Sequence, residues 1–235
     1  MYHIFMLFSS KYLIACGGTS LHLNTDNSIQ SQSVWTGSGG GVSSFQSVPS
    51  WQSQKQLYYT TYSSTGVIGN PSMLAYRGVP DFSAPADPYT GYQFYTQGTL
   101  QTNGGTSAAA PFLAGLFAVI IQNLGSKISF NTLMPLIYAN YSAFYDITAG
   151  QNNQDWHQLG IPNVDGYKAT IGWDAATGLG SPYGNSILGL LQGTPTPPPG
   201  PPPPPPPPGN IAGYLWPRPK IAWPGYNTPD KPIFQ

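Results

Sequence analysis

The sequence predicts an α/β layered domain. Three observations carry this: a strand-like apolar run at residues 12–16, a hairpin pattern centred on Gln97-Gly98, and a helical pattern that begins at Thr106-Ser107 and is apolar on every face. With 235 residues, 40% of them apolar, the chain is long enough to enclose a core.

The run Tyr12-Leu13-Ile14-Ala15-Cys16 reads as a buried strand. The opening MYHIFMLFSSKYLIACGG also resembles a short export signal, but Lys11 interrupts its apolar run and no basic residue precedes it, so the strand is the better reading. Gly37 to Gly41 marks a loop, and Tyr92-Gln93-Phe94-Tyr95 with Leu100 flanks the Gln97-Gly98 turn of a short hairpin. The main helix runs from Thr106-Ser107 through Leu113, Leu116, Val119 and Ile120 to Leu124 and stops at Gly125. Apolar all round, it is expected to be a buried central helix. Further helices are expected over Thr132 to Tyr138 and Asn185 to Leu191.

After Gln192 the composition changes. Residues 1–192 read as the globular part, 193–209 as a proline-rich linker with an unbroken run from Pro201 to Pro208, and 210–235 as a Pro- and aromatic-rich tail. The proline run is extended polyproline II, a semi-rigid spacer of about 3.1 Å per residue. A linker role is favoured over a ligand for a polyproline-binding partner, because nothing in the run fixes a binding register.

Charged residues make up only 7% of the chain, against about 25% in an ordinary domain. The net charge is zero and the basic residues are scattered, which argues against nucleic acid or an anionic membrane as partner. No stretch reaches the roughly 18 uninterrupted apolar residues of a membrane span. Cys16 is the only cysteine, so neither a disulfide framework nor a thiolate-rich metal site is possible within the chain. All eight acidic residues are Asp, and there is no Glu.

Gly104-Gly105-Thr106-Ser107-Ala108-Ala109-Ala110-Pro111 places a hydroxyl at a helix start behind a glycine pair. Free amides and partial positive charge at a helix N-terminus can stabilise a developing oxyanion, although a lone serine there is more often an N-cap. The extended match to GTS-x-A-x-P decides for the nucleophile signature of the subtilisin-like fold. The flanking Cys16-Gly17-Gly18-Thr19, Gly39-Gly40-Gly41-Val42-Ser43, Pro49-Ser50-Trp51-Gln52, Gly78-Val79-Pro80-Asp81 and Ala86-Asp87-Pro88 resemble, in order, the sedolisin family of serine-carboxyl peptidases.

That resemblance implies a partial subtilisin-like fold with a central sheet and a buried helix after the nucleophile position. It makes Ser107 the nucleophile, and a peptide or protein the substrate. It also implies one structural calcium ion, held by the carboxylates of Asp146 and Asp174 and the carbonyls of Ile147, Thr170 and Gly172. Thr170 stands where the family has glycine, a source of strain if the bend needs positive φ. The alternative for Asp146 and Asp174, simple turn caps, is outweighed by the motif context. The family points to an extracellular or acidic compartment.

The family's glutamate base, its orienting aspartate and its oxyanion aspartate all precede the Gly17-Gly18-Thr19 strand, and none has a counterpart here. His22 lacks motif support as a substitute, His3 sits at the terminus and His157 in the calcium-region loop. Activity from this chain alone is therefore expected to be lost or residual. Three explanations stand open: an N-terminal half supplied from elsewhere, a pseudoenzyme acting as a binding or structural module, or a decaying fragment.

Overall fold

A computed structural model describes residues 8–63, 66–152 and 165–194. The proline-rich linker from residue 195 and the tail lie outside the described residues, as do His3 and His157.

The first elements are β1 (Cys16–Leu23), β2 (Ile29–Val34), β3 (Gly41–Ser47) and the single helical turn α1 (Ser50–Ser53). Short ladders follow: β4 (Tyr58–Tyr59), β5 (Thr61–Tyr62) and β6 (Ser72–Met73), then β7 (Tyr76–Val79) and β8 (Phe82–Pro85). A hairpin of β9 (Tyr92–Thr96) and β10 (Thr99–Asn103) leads into α2 (Thr106–Leu124) and α3 (Phe130–Ala139). β11 (Phe144–Tyr145), β12 (Gly166–Tyr167), β13 (Ser181–Pro182) and α4 (Gly184–Leu191) complete the order. The hairpin turns where expected, with Gln97 at φ 50° and Gly98 at φ 76°, the left-handed pair that matches strand twist.

A three-stranded sheet in the order β2-β1-β8 forms the centre. β1 runs parallel to β8, from Cys16 opposite Phe82 to Thr19 opposite Pro85, and antiparallel to β2, which covers it only from Thr19 onward. The far edge of β8 is closed by the chain near β13, where Ser83 N donates to Gly180 O at 2.9 Å. Gln32 Nε2 reaches Ser181 Oγ at 2.6 Å, tying β2 to the same segment.

The core gathers Phe82, Leu113, Met134, Ile137, Phe144, Trp173 and Ile187 between this sheet and the helices. Through it runs a buried polar network. Gln52, the last residue of the Pro-Ser-Trp-Gln motif, both donates to Gly78 O (2.8 Å) and accepts from Gly78 N (3.0 Å), and its Nε2 donates to Tyr138 Oη at 2.9 Å. Tyr138 in turn donates to Asp81 Oδ1 at 2.7 Å. Gln52 thus satisfies both the amide and the carbonyl of Gly78, which stands opposite Val42 in the β3–β7 ladder.

Two sequence expectations are corrected. Tyr12 and Leu13 are exposed and lie before β1, so the run at 12–16 is not a buried strand; only Ala15 within it is fully buried. α2 has its expected bounds, closed by Gly125 at φ 70°, but it is not buried on every face. Only Ala109, Leu113 and Ile120 are buried, whereas Phe112 and Val119 are about half exposed at 50% and 55%. One side packs on β1, β8 and α4, and elsewhere on the helix Phe112 meets Tyr92 of β9, ring centroids 5.8 Å apart. By length and mean hydropathy (1.6) α2 is also apolar enough to cross a membrane, without having an uninterrupted apolar run.

Candidate active site and paired-aspartate bend

Ser107 is the second residue of α2 and is exposed. The N-cap is Gly105, at φ 107° and ψ 152°, a conformation essentially confined to glycine, and it has no side chain to offer the helix. Ser107 is therefore not the cap. Among the described residues its hydroxyl makes no hydrogen bond. Ala108 N and Ala109 N both turn back to Gly105 O, at 2.9 and 3.3 Å, which leaves the first-turn amides before them aimed outward.

The approach to this turn is fixed by close packing. Gly105 N donates to Ala86 O, and a Cβ at Gly104 would lie 2.3 Å from that same oxygen. Ala86 N donates to Thr19 O at 2.9 Å, and Ser20 Oγ donates to Asp87 Oδ2 at 2.6 Å. The nucleophile turn is thus pinned to the C-terminal end of β1, where ligands gather in open α/β sheets. His22 is exposed on β1, opposite Ser31 of β2. Asp81 is committed to the ion pair with Arg77 in the core.

The structure brings Asp146, Thr170, Gly172 and Asp174 together in one bend. Gly172 N donates to Asp146 Oδ2 at 2.9 Å and Thr170 N to Asp174 Oδ2 at 3.0 Å. Asp174 Oδ1 accepts from Ala176 N and Thr177 N, at 2.9 and 2.8 Å. Ile147, fully buried, anchors the bend in an apolar cluster with Val34, Ala169 and Ala176. Positive φ falls on Gly172 (80°) and not on Thr170, so threonine at position 170 brings no backbone strain.

Burial raises the pKa of both carboxyls. Asp146 is shifted upward, and Asp174 is pushed up to about 7 although three backbone amides bond its charged form. Asp146 Oδ1 is buried without a hydrogen-bond partner. An orphaned carboxylate oxygen beside a second desolvated carboxylate, on a bend rich in carbonyls, is a donor set that fits a hard cation with oxygen ligands.

Comparison with known proteins gives this arrangement a family. The family model described as the subtilase family matches residues 9–167. The chain belongs to the subtilase family, a class of serine peptidase fold. Within it, the chain matches part of a sedolisin-type catalytic domain. It is 38% identical over 195 residues to kumamolisin of Bacillus sp. (strain MN-32), covering 80% of this chain and 32% of that protein. It is 32% identical over 185 residues to sedolisin of Pseudomonas sp. (strain 101), covering 74% of this chain and 28% of that protein. A solved structure of Pseudomonas sedolisin, complexed with two molecules of pseudo-iodotyrostatin, superimposes with a TM-score of 0.61 at 30% identity, over 80% of this chain and 48% of that one. The chain thus spans about a third of the length of these curated relatives.

Proposed function

We propose that this chain carries the nucleophile half of a sedolisin-type peptidase site, cleaving peptide or protein substrates through an acyl-enzyme at Ser107. The observation that carries this reading is the exposed, uncapped hydroxyl of Ser107 on the first turn of α2. Ser107 Oγ attacks the scissile carbonyl carbon, its proton passes to a general base, and the leaving amine departs protonated. Water then attacks the acyl ester and restores the hydroxyl. The outward amides of the first turn favour the oxyanion.

The chain contains no Glu, and Asp81 is held by Arg77 in a buried ion pair, so neither a glutamate of this chain nor Asp81 serves as that base. Labelling with a serine-directed fluorophosphonate at acidic pH, in the presence of the complementary part of a sedolisin-type domain, tests the reading. Modification of Ser107 that vanishes in Ser107→Ala supports it; an unmodified chain in a formed complex refutes it.

The same reading assigns one structural calcium ion to Asp146, Asp174 and the carbonyls of Ile147, Thr170 and Gly172. A bound ion would supply positive charge that offsets the desolvation of the two carboxylates and would rigidify the bend between β12 and β13. The orphaned Asp146 Oδ1 supports this assignment.

A further inference from the structure

We propose that Asn103-Gly104 is a self-modification site, at which the Gly104 nitrogen closes on the Asn103 carboxamide with loss of ammonia and water reopens the ring to aspartate or isoaspartate. The inference stands on the geometry of this turn and does not need the peptidase reading.

Asn103 ends β10 and is exposed, and Gly104 opens the approach to α2. The two form the only Asn-Gly pair in the sequence. Gly104 N donates to Asn103 Oδ1 at 2.8 Å, so the carboxamide is already folded back onto the nitrogen that attacks it. Proximity established in the ground state is what makes an intramolecular step fast.

No other asparagine among the described residues has its side-chain oxygen bonded to the amide that follows it. At Asn27-Ser28 the Ser28 amide is taken by Asp26 Oδ1 at 3.0 Å. After Asn131 the Thr132 amide donates to Ser129 O at 3.0 Å, in the first turn of α3. Asn70 precedes Pro71, which has no amide proton to lose.

The glycine is also not free to change. A Cβ at residue 104 would lie 2.3 Å from Ala86 O, so the packing of the turn demands the residue type that shields its own nitrogen least.

The step balances without oxidant or reductant. Solvent base removes the Gly104 amide proton, the nitrogen attacks Asn103 Cγ, and the carboxamide nitrogen leaves as ammonia, closing a five-membered succinimide. Water then adds to one of its two carbonyls. Breaking the bond from Gly104 N to Cγ leaves aspartate at position 103. Breaking the bond from Gly104 N to the main-chain carbonyl leaves isoaspartate, and the chain path gains one methylene.

Both products alter the turn that carries Ser107. A carboxylate enters a chain of zero net charge, close to the start of α2, whose first turn holds no acidic residue. Isoaspartate in addition lengthens the path from β10 to Gly105, whose amide is fixed on Ala86 O.

The test incubates the full chain in mildly alkaline buffer, folded and in urea. Peptide mapping follows each asparagine, and isoaspartyl methyltransferase counts the isoaspartate formed. In the folded chain Asn103 should convert at least tenfold faster than Asn27, and no more slowly than it does in urea. Asn103→Gln, at an exposed position and able to close only a larger ring, should suppress the conversion at least tenfold with unchanged circular dichroism. Faster conversion of Asn103 in urea than in the folded chain overturns the inference. So does a folded chain in which another asparagine reacts first, or one in which position 103 stays intact.

Discussion

Arg77 and Asp81 form an ion pair of 2.6 Å in which both side chains are completely buried. Asp81 Oδ2 also accepts from Ala15 N at 2.8 Å, and its main chain bonds Ala15 O and Leu179 N, both at 2.8 Å. One aspartate thus joins the entry to β1, the turn between β7 and β8, and the segment before β13. Asp81→Ala should therefore destabilise the domain by about 3–5 kcal/mol, because an uncompensated guanidinium stays in the core. The double variant Arg77→Met with Asp81→Leu should lose less than the sum of the two single changes. Urea melts of the four proteins decide this.

Tyr138 closes the other side of that network and sets an alkaline limit. Burial, reinforced by the adjacent Asp81 carboxylate, holds its hydroxyl well above the ordinary value of 10. The folded state binds this proton more tightly than the unfolded chain. Its stabilising effect is complete below pH 10 and declines as the pH rises further. Unfolding free energies measured between pH 9 and 11.5 should show the decline, and Tyr138→Phe should flatten it while costing about 1–3 kcal/mol at neutral pH.

Ser107→Ala should abolish labelling by the fluorophosphonate and change stability by less than about 0.5 kcal/mol. A capping serine would instead cost about 1 kcal/mol on the same substitution. Gly105→Ala is the contrasting variant, expected to cost about 1–3 kcal/mol because φ 107° admits little but glycine. Thermal melts of the three proteins separate these outcomes.

Saturating calcium should raise the melting temperature. At a concentration a hundredfold above the dissociation constant the gain is about 2.7 kcal/mol, or roughly 5–10 °C for a domain of this size. Asp146→Asn should remove most of it, since the amide oxygen still accepts from Gly172 N but carries no charge. Melts that coincide in calcium and in chelator would dispose of the assignment.

The parts of the fold that were legible in the sequence are those fixed by local chemistry. Gln97-Gly98 specifies its own turn, Gly125 stops α2, and the glycine pair before Thr106 announces a sharp approach to a helix. What escaped was whatever depends on neighbours distant in the chain. Apolarity on every side of α2 signals that the helix is meant to be covered, and periodicity cannot tell whether the cover lies in the same sequence. The pairing of Arg77 with Asp81 was equally hidden, because four-residue spacing predicts contact on a helix, whereas here the two residues flank the passage from β7 to β8. The carboxylates of Asp146 and Asp174 were found through motif context; their joint burial and the orphaned oxygen needed coordinates.

The bonds from Ser83 to Gly180 and from Gln32 to Ser181 also bear on how the protein is made. They join residues 97 and 149 positions apart in the chain. Until residue 181 has left the ribosome, β8 has an open flank and Gln32 lacks one of its partners. A nascent chain cannot complete this sheet strand by strand, and folding of this part of the molecule is expected to be slow.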